Sequence, residues 1–369
     1  MSELFPPRGL VPSEVGDRAW LQAMLDAEAA LARARGLEDA DAVAAACSAD
    51  RYHLASLGWE SQESGNPVVP LAKALRAASG VDEAHRGATS QDILDTATML
   101  VILRAREPLL ADLLGAADAA GALAREFRSA PMAARTLLQQ ALPTTLGLKA
   151  AGWMTALDSA AAGLRGVELP AQLGGPAGTL AGLGRPVAAA YAAELGLADP
   201  VLPWHTNRLP VARVAGALGA AAGAVAKAAR DVTLLSQTEV GEVREAAPGG
   251  SSAMPHKQNP VAAVSALAAA RQAPGLVATL LASMEHEHER AAGAWHAEWR
   301  PLRELLIACG TSAAWLRTCL EGLTVDPDRM RSNLALGVPE QERGGGRLAG
   351  AVAAAEELVD RALGARQPS

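Results

Sequence analysis

Long apolar, alanine-rich stretches alternate along this chain with short polar breaks, and within each stretch the apolar positions recur at helical spacing. Between Val15 and Ala34, Trp20, Met24, Leu25 and Leu31 fall on one side, Arg18, Asp26, Glu28 and Arg33 are left for solvent, and Gly36 ends the run. The same pattern predicts helices over Asp39 to about Leu57, Leu71 to Ser79, Gln91 to Ala105, Pro108 to about Ser129 and Leu146 to Gly163. Further helices are expected from Leu209 to about Glu242, from Pro260 to about Ala273, from Gly275 onward and from about Leu348. Residues 58–70, with Gly65-Asn66-Pro67 at the centre, read as a loop, and so does the run from Gln172 to Gly184, which holds too many glycines for a helix. The expected fold class is all-α, built on a bundle of long helices.

Composition agrees with that picture. Half of the 369 residues are hydrophobic but only 3% are aromatic, the alanine, leucine and valine mix of closely packed helices. The net charge of −7, from 33 basic and 40 acidic residues without a sustained basic block, argues against a nucleic-acid partner. Cys47, Cys309 and Cys319 show no paired spacing, which suits buried thiols in a reducing compartment. The start of the chain lacks a basic-then-apolar leader, and glycine, proline or charge interrupts the apolar runs. A soluble, cytoplasmic protein without a membrane partner is expected.

Residues 249–260, Gly-Gly-Ser-Ser-Ala-Met-Pro-His-Lys-Gln-Asn-Pro, break the pattern by crowding glycine, hydroxyl, amide and cationic groups between two apolar helices. Such a stretch predicts a mobile loop, with Lys257 supplying charge, Asn259 hydrogen bonds, and the start of the following helix favouring an anion. Other polar strings are His85-Arg86-Gly87-Ala88-Thr89-Ser90-Gln91-Asp92, where Thr89 or Ser90 can cap a helix, and Arg135-Thr136-Leu137-Leu138-Gln139-Gln140-Ala141-Leu142-Pro143. Glu285-His286-Glu287-His288 has histidines two apart, which on a helix do not converge, so no metal site is expected.

The 249–260 string closely resembles the signature loop of the aspartase/fumarase superfamily, and the two earlier strings are similar to its first and second signature regions. The Gly-Ala-Thr-Ser-Gln-Asp wording and the Pro203-Trp204-His205-Thr206 stretch look most like the 3-carboxy-cis,cis-muconate cycloisomerase branch. One departure is informative. Leu137 stands where many superfamily lyases carry an acid/base histidine, and leucine cannot move a proton.

The resemblance implies three parts: an N-terminal helical domain (1–92), a central helix-bundle domain (93–323) and a shortened C-terminal segment (324–369), assembled as a homotetramer with sites shared between subunits. It also implies Ser251 as the proton-transfer residue and Lys257 as its catalytic partner. Thr89, Ser90, Gln91, Arg135, Thr136, Gln139, His205, Lys257 and Asn259 would bind a di- or tricarboxylate, with no metal and no organic cofactor. The implied activity is lactonisation of 3-carboxy-cis,cis-muconate in protocatechuate catabolism. The alternatives are a lyase that removes an amine or nitro group from a substituted succinate to give fumarate, and a non-catalytic oligomeric paralogue.

Overall fold

The structure, a computed structural model, describes residues 4–250, 253–254, 257–344 and 346–366. Its frame consists of α1 (Asp17–Ala34), α2 (Ser90–Glu126), α3 (Leu146–Arg165), α4 (Leu209–Leu235), α5 (Val261–Ala270), α6 (Ala273–Ala282) and α7 (Ala294–Glu321). After them come α8 (Pro327–Gly337) and α9 (Arg347–Ala365). The chain is predominantly helical, as expected. The bundle turns around α2, in which every residue from Gln91 to Ile102 is buried, so that this helix faces protein on all sides. One continuous cluster of buried apolar side chains runs from Val11 to Val359. The three cysteines are free and buried within it, and burial pushes the thiols of Cys47 and Cys309 up to about 12.

Several boundaries differ from the sequence expectation, each for a local reason. The predicted helix 39–57 stops at Ala46, because Ser48 and Tyr52 are extended and His53 Nδ1 accepts the Ser56 N–H to start a new helix, Leu54–Ser64, inside the expected loop. The two helices expected on either side of Pro108 are one, with Pro108 inside α2. The helix predicted to reach Glu242 ends at Leu235, where the backbone turns and the Glu242 N–H returns to the Leu235 carbonyl. Residues 283–293, expected to be helical, form an irregular link between α6 and α7.

Two small ribbons interrupt the otherwise helical fold. β1 (Pro131–Thr136) and β2 (Gln139–Thr145) form an antiparallel hairpin, and β3 (Val243–Glu245) pairs with β4 (Leu323–Val325), which extends from the end of α7. The hairpin rests on α8, where Leu334 and Val338 pack against Ala133. α9 is tied back to the bundle by Arg128 on Asp360 and by Arg366 on Asp158.

By length and composition alone, the α4 stretch and Val261–Ala282 could each cross a bilayer, contrary to the expectation that every apolar run is interrupted too soon. Alanine and leucine carry these helices past their glycines and single charges. Only 39% of the most apolar window of either is buried within one chain; the exposed face of α4 is glycine and alanine between Arg213 and Lys227, and Val261, Val264 and Leu281 are exposed on α5 and α6.

Candidate active site

The residues singled out in the sequence collect at two places. At the first, Thr89 is the N-cap of α2, and Asp92 three residues on accepts its backbone N–H at 2.9 Å in a capping box. Asp92 also accepts the Gly174 and Gly175 amides, at 2.8 and 2.9 Å, and lies 2.6 Å from His205 Nε2. Gly174 is required there: a Cβ on it would sit 2.6 Å from the His205 ring. Thr89 and Ser90 stay half-buried at the helix start, beside a glycine-rich turn whose Gly175 carbonyl accepts from Arg290 at 2.7 Å.

Beneath this turn lies a buried ionic layer. Arg208 forks onto Asp95 at 2.7 and 3.1 Å and onto Glu298 at 2.6 and 2.9 Å, while Trp295 Nε1 donates to Asp95 at 3.0 Å. Burial opposes the Arg208 charge, but Asp95 and Glu298 hold its pKa above the ordinary value. Burial raises the Glu298 carboxyl against the pull of Arg208, and burial together with Arg208 lowers His286.

Two expected pocket residues belong to this support. His205, 4% exposed, has its ring committed to Asp92, and its carbonyl accepts from buried Gln91 at 2.8 Å. Both therefore hold the Thr89–Ser90 turn from below rather than line a cleft. Asp95, Arg208 and Glu298 were not singled out as site residues in the sequence; the available signal was Asp95, an acidic residue one turn into α2 between Ile93-Leu94 and the apolar run that begins at Met99.

The second place is the far end of the bundle. Arg135 ends in a two-pronged contact with buried Glu242, at 2.7 and 2.9 Å, and Asn333 of α8 donates to the same carboxylate at 2.8 Å. Arg135, expected to meet substrate, is thus engaged within the chain. Thr136 and Gln139 face each other across the hairpin and are exposed. Between them Leu137 and Leu138 form the two-residue turn with φ of 51° and 65°, and Leu137 is 97% exposed. Both angles are left-handed, a conformation hairpins usually assign to asparagine and glycine and one that disfavours leucine by roughly 1–2 kcal/mol per residue.

The signature loop lies at this same end. Gly249 and Asn259 pair through reciprocal backbone hydrogen bonds of 2.9 and 3.0 Å, pinching the loop's neck. Lys257 is exposed, and together with Thr233, Gln237, Arg244, Met254 and Asn259 it borders an open cleft of about 650 Å³. Cationic and amide groups around a cleft of this size suit a small polyanion. Ser251 lies outside the described residues. The helix start expected to attract an anion already holds one, since Glu245 accepts the Ala262 and Ala263 amides at 3.0 and 2.8 Å. No cluster of His, Cys, Asp or Glu among the described residues could hold a metal ion.

An α-helical bundle carrying a Thr-Ser helix cap at one end and a lysine- and asparagine-bearing loop at the other defines the lyase class of fold. The profile of the lyase family matches residues 19–275, and the chain belongs to that family. Among relatives, it is 48% identical to 3-carboxy-cis,cis-muconate cycloisomerase of Bradyrhizobium diazoefficiens, over 86% of this chain and 75% of that protein. It is 47% identical to nitrosuccinate lyase of Streptomyces davaonensis, over 90% of this chain and 77% of that one. The crystal structure of 3-carboxy-cis,cis-muconate lactonizing enzyme from Pseudomonas putida superposes with a TM-score of 0.83 at 39% identity, covering 97% of this chain and 86% of that one.

Proposed function

We propose that this lyase-family protein is a cycloisomerase that closes 3-carboxy-cis,cis-muconate to 4-carboxymuconolactone, a step in the breakdown of protocatechuate. The observation that carries the reading is Leu137. Position 137, where related lyases present a proton-transfer group, offers only hydrocarbon. A reaction whose nucleophile is the substrate's own carboxylate needs no residue to activate water or an amine. One carboxylate oxygen bonds to a diene carbon as a proton is added next to it, through a carboxylate-stabilised carbanion, and an isomeric lactone results. Ser251 exchanges that proton, Lys257 and Asn259 stabilise the charge that develops on the adjacent carboxylate, and Thr89, Ser90, Thr136 and Gln139 hold the other carboxylates. These steps use side chains alone.

The two groups of residues lie near opposite ends of α4, and 27 residues at 1.5 Å each separate them by about 40 Å. No tricarboxylate spans that gap, so the site draws its two halves from different chains. The exposed small residues of α4, Gly216, Ala220 and Gly223, with exposed Val261, Val264 and Leu281 of α5 and α6, favour close association of helices through the middle of the bundle, in a homotetramer. Mixing a Ser251→Ala protein with a Thr89→Val protein should then restore activity that neither has alone, and a mixture as inactive as its parts would refute shared sites.

The assignment is tested by following the diene absorbance of 3-carboxy-cis,cis-muconate. Wild type should remove it without added metal, Ser251→Ala should be slower by about 10²–10⁴-fold, and persistence of the absorbance at high enzyme would overturn the proposal. The likeness to nitrosuccinate lyase favours one second reading, elimination of nitrous acid from nitrosuccinate to give fumarate. Nitrite and fumarate release, with the triacid untouched, would establish it instead.

A further inference from the structure

The short strand β3 lies between the hairpin and the signature loop at the loop end of the bundle. Its backbone is fixed on both sides: the Glu242 N–H reaches the Leu235 carbonyl at the end of α4, the Asp326 N–H reaches the Glu242 carbonyl, and the Ala246 N–H reaches the Gly322 carbonyl at the end of α7. Glu242 immediately precedes β3 and Glu245 ends it, and the two carboxylates have different partners. Both are buried, at 0% and 7% exposure. Glu242 grips Arg135 of the hairpin and Asn333 of α8. Glu245 grips the first amides of α5, where Pro260 stands at the N-cap without a polar side chain to do so.

We propose that Glu242 and Glu245 are positioning residues that hold the hairpin and the signature loop in register with each other across β3. The loop's exit is fixed from the outside by Glu245. Its entrance is fixed at Gly249, where a Cβ would come within 2.1 Å of Val261 Cγ2, so this glycine serves close approach to the start of α5 rather than free rotation. The neck of the signature loop is therefore closed by the Gly249–Asn259 pair, and its place is set by a carboxylate outside the loop. The Glu242–Arg135 fork sets how the hairpin tip, with Thr136 and Gln139, stands relative to that neck. This inference rests on the reading that residues 249–260 carry the proton transfer.

The test combines hydrogen–deuterium exchange on the full chain with steady-state kinetics on the triacid, using Glu245→Gln and Glu242→Gln, which keep side-chain shape. Glu245→Gln should speed exchange within 246–263 and leave the hairpin unchanged. It should lower kcat about tenfold to a hundredfold with little change in KM, the scale of a slight misplacement of a reacting group. Glu242→Gln should speed exchange within 131–145 and chiefly raise KM. Unchanged exchange in these segments, a uniform rise across the whole chain, or local loosening with wild-type kinetics would each overturn the proposal. If wild type does not turn over the triacid, the substrate assignment fails separately, and the exchange pattern alone decides the positioning role.

Discussion

Where α2 begins, the polar side chains are sealed in and paired: Asp92 serves three backbone amides and a histidine, and Arg208 is shared between two carboxylates. Where α2 and α4 end, polar groups surround an open cleft and a hairpin presents leucines in left-handed backbone. The first end is preorganised, its geometry over-determined by bonds that cost much to break. The second keeps only its supports buried, Glu242 and Glu245, and leaves the groups that would meet a ligand exposed. A helical scaffold can thus place a tightly bonded helix cap and an open, polar cleft at opposite ends.

The sharpest way to break this contrast is Arg208→Ala. It leaves Asp95 and Glu298 facing each other without a counter-charge and should destabilise the protein by about 3–5 kcal/mol in chemical denaturation. A loss below 1 kcal/mol would show that the layer is not sealed. Asp92→Asn should cost less, about 2–3 kcal/mol, because it weakens charged hydrogen bonds while keeping the shape. Slower folding alone, with equilibrium stability intact, would contradict that estimate.

At the other end the sign should reverse. Replacing Leu137-Leu138 by Asn-Gly should stabilise the hairpin by roughly 1–2 kcal/mol, seen as a higher melting temperature, because the new pair suits the left-handed turn. If turnover is undisturbed by that change, the tip takes no part in a site.

The smallest effect is a pH dependence at the cap end. His85 Nδ1 lies 2.6 Å from Glu28 Oε1; burial opposes its protonation, but the Glu28 charge and hydrogen bond leave its pKa raised above 6.5. The pair's contribution is fully present below 6.5 and is lost as pH rises through the higher folded value. Melting temperature should fall over that interval in wild type, and the difference from His85→Asn should shrink with it. A constant difference would remove the pair from the account.

Much of the fold was legible because helical periodicity is local: α1, α3 and the start of α2 lie within a few residues of their predicted limits. The hairpin was not, since Arg135 to Pro143 carries no asparagine or glycine at its turn, and what holds its strands, Ala133 on Leu334 and Val338 and Arg135 on Glu242, comes from distant parts of the chain. The same division holds for the candidate site. Thr89, Ser90, Lys257 and Asn259 stand in contiguous strings whose resemblance to the superfamily's signature regions singles them out. That His205 and Gln91 face inward, and that Arg135 is held by Glu242, depends on partners about a hundred residues away.

The sequence by itself determined an all-helical lyase-family chain and the residue types able to bind carboxylates and move a proton, because helical periodicity and contiguous motifs are written in neighbouring positions. Only the tertiary structure decided that these residues stand at opposite ends of one bundle, that a carboxylate of the chain's own occupies the start of α5, and that two buried glutamates, one just before a three-residue strand and one at its end, support the loop end. Those facts arise from side chains distant in sequence competing for the same buried hydrogen-bond donors, and such competition has no local signature.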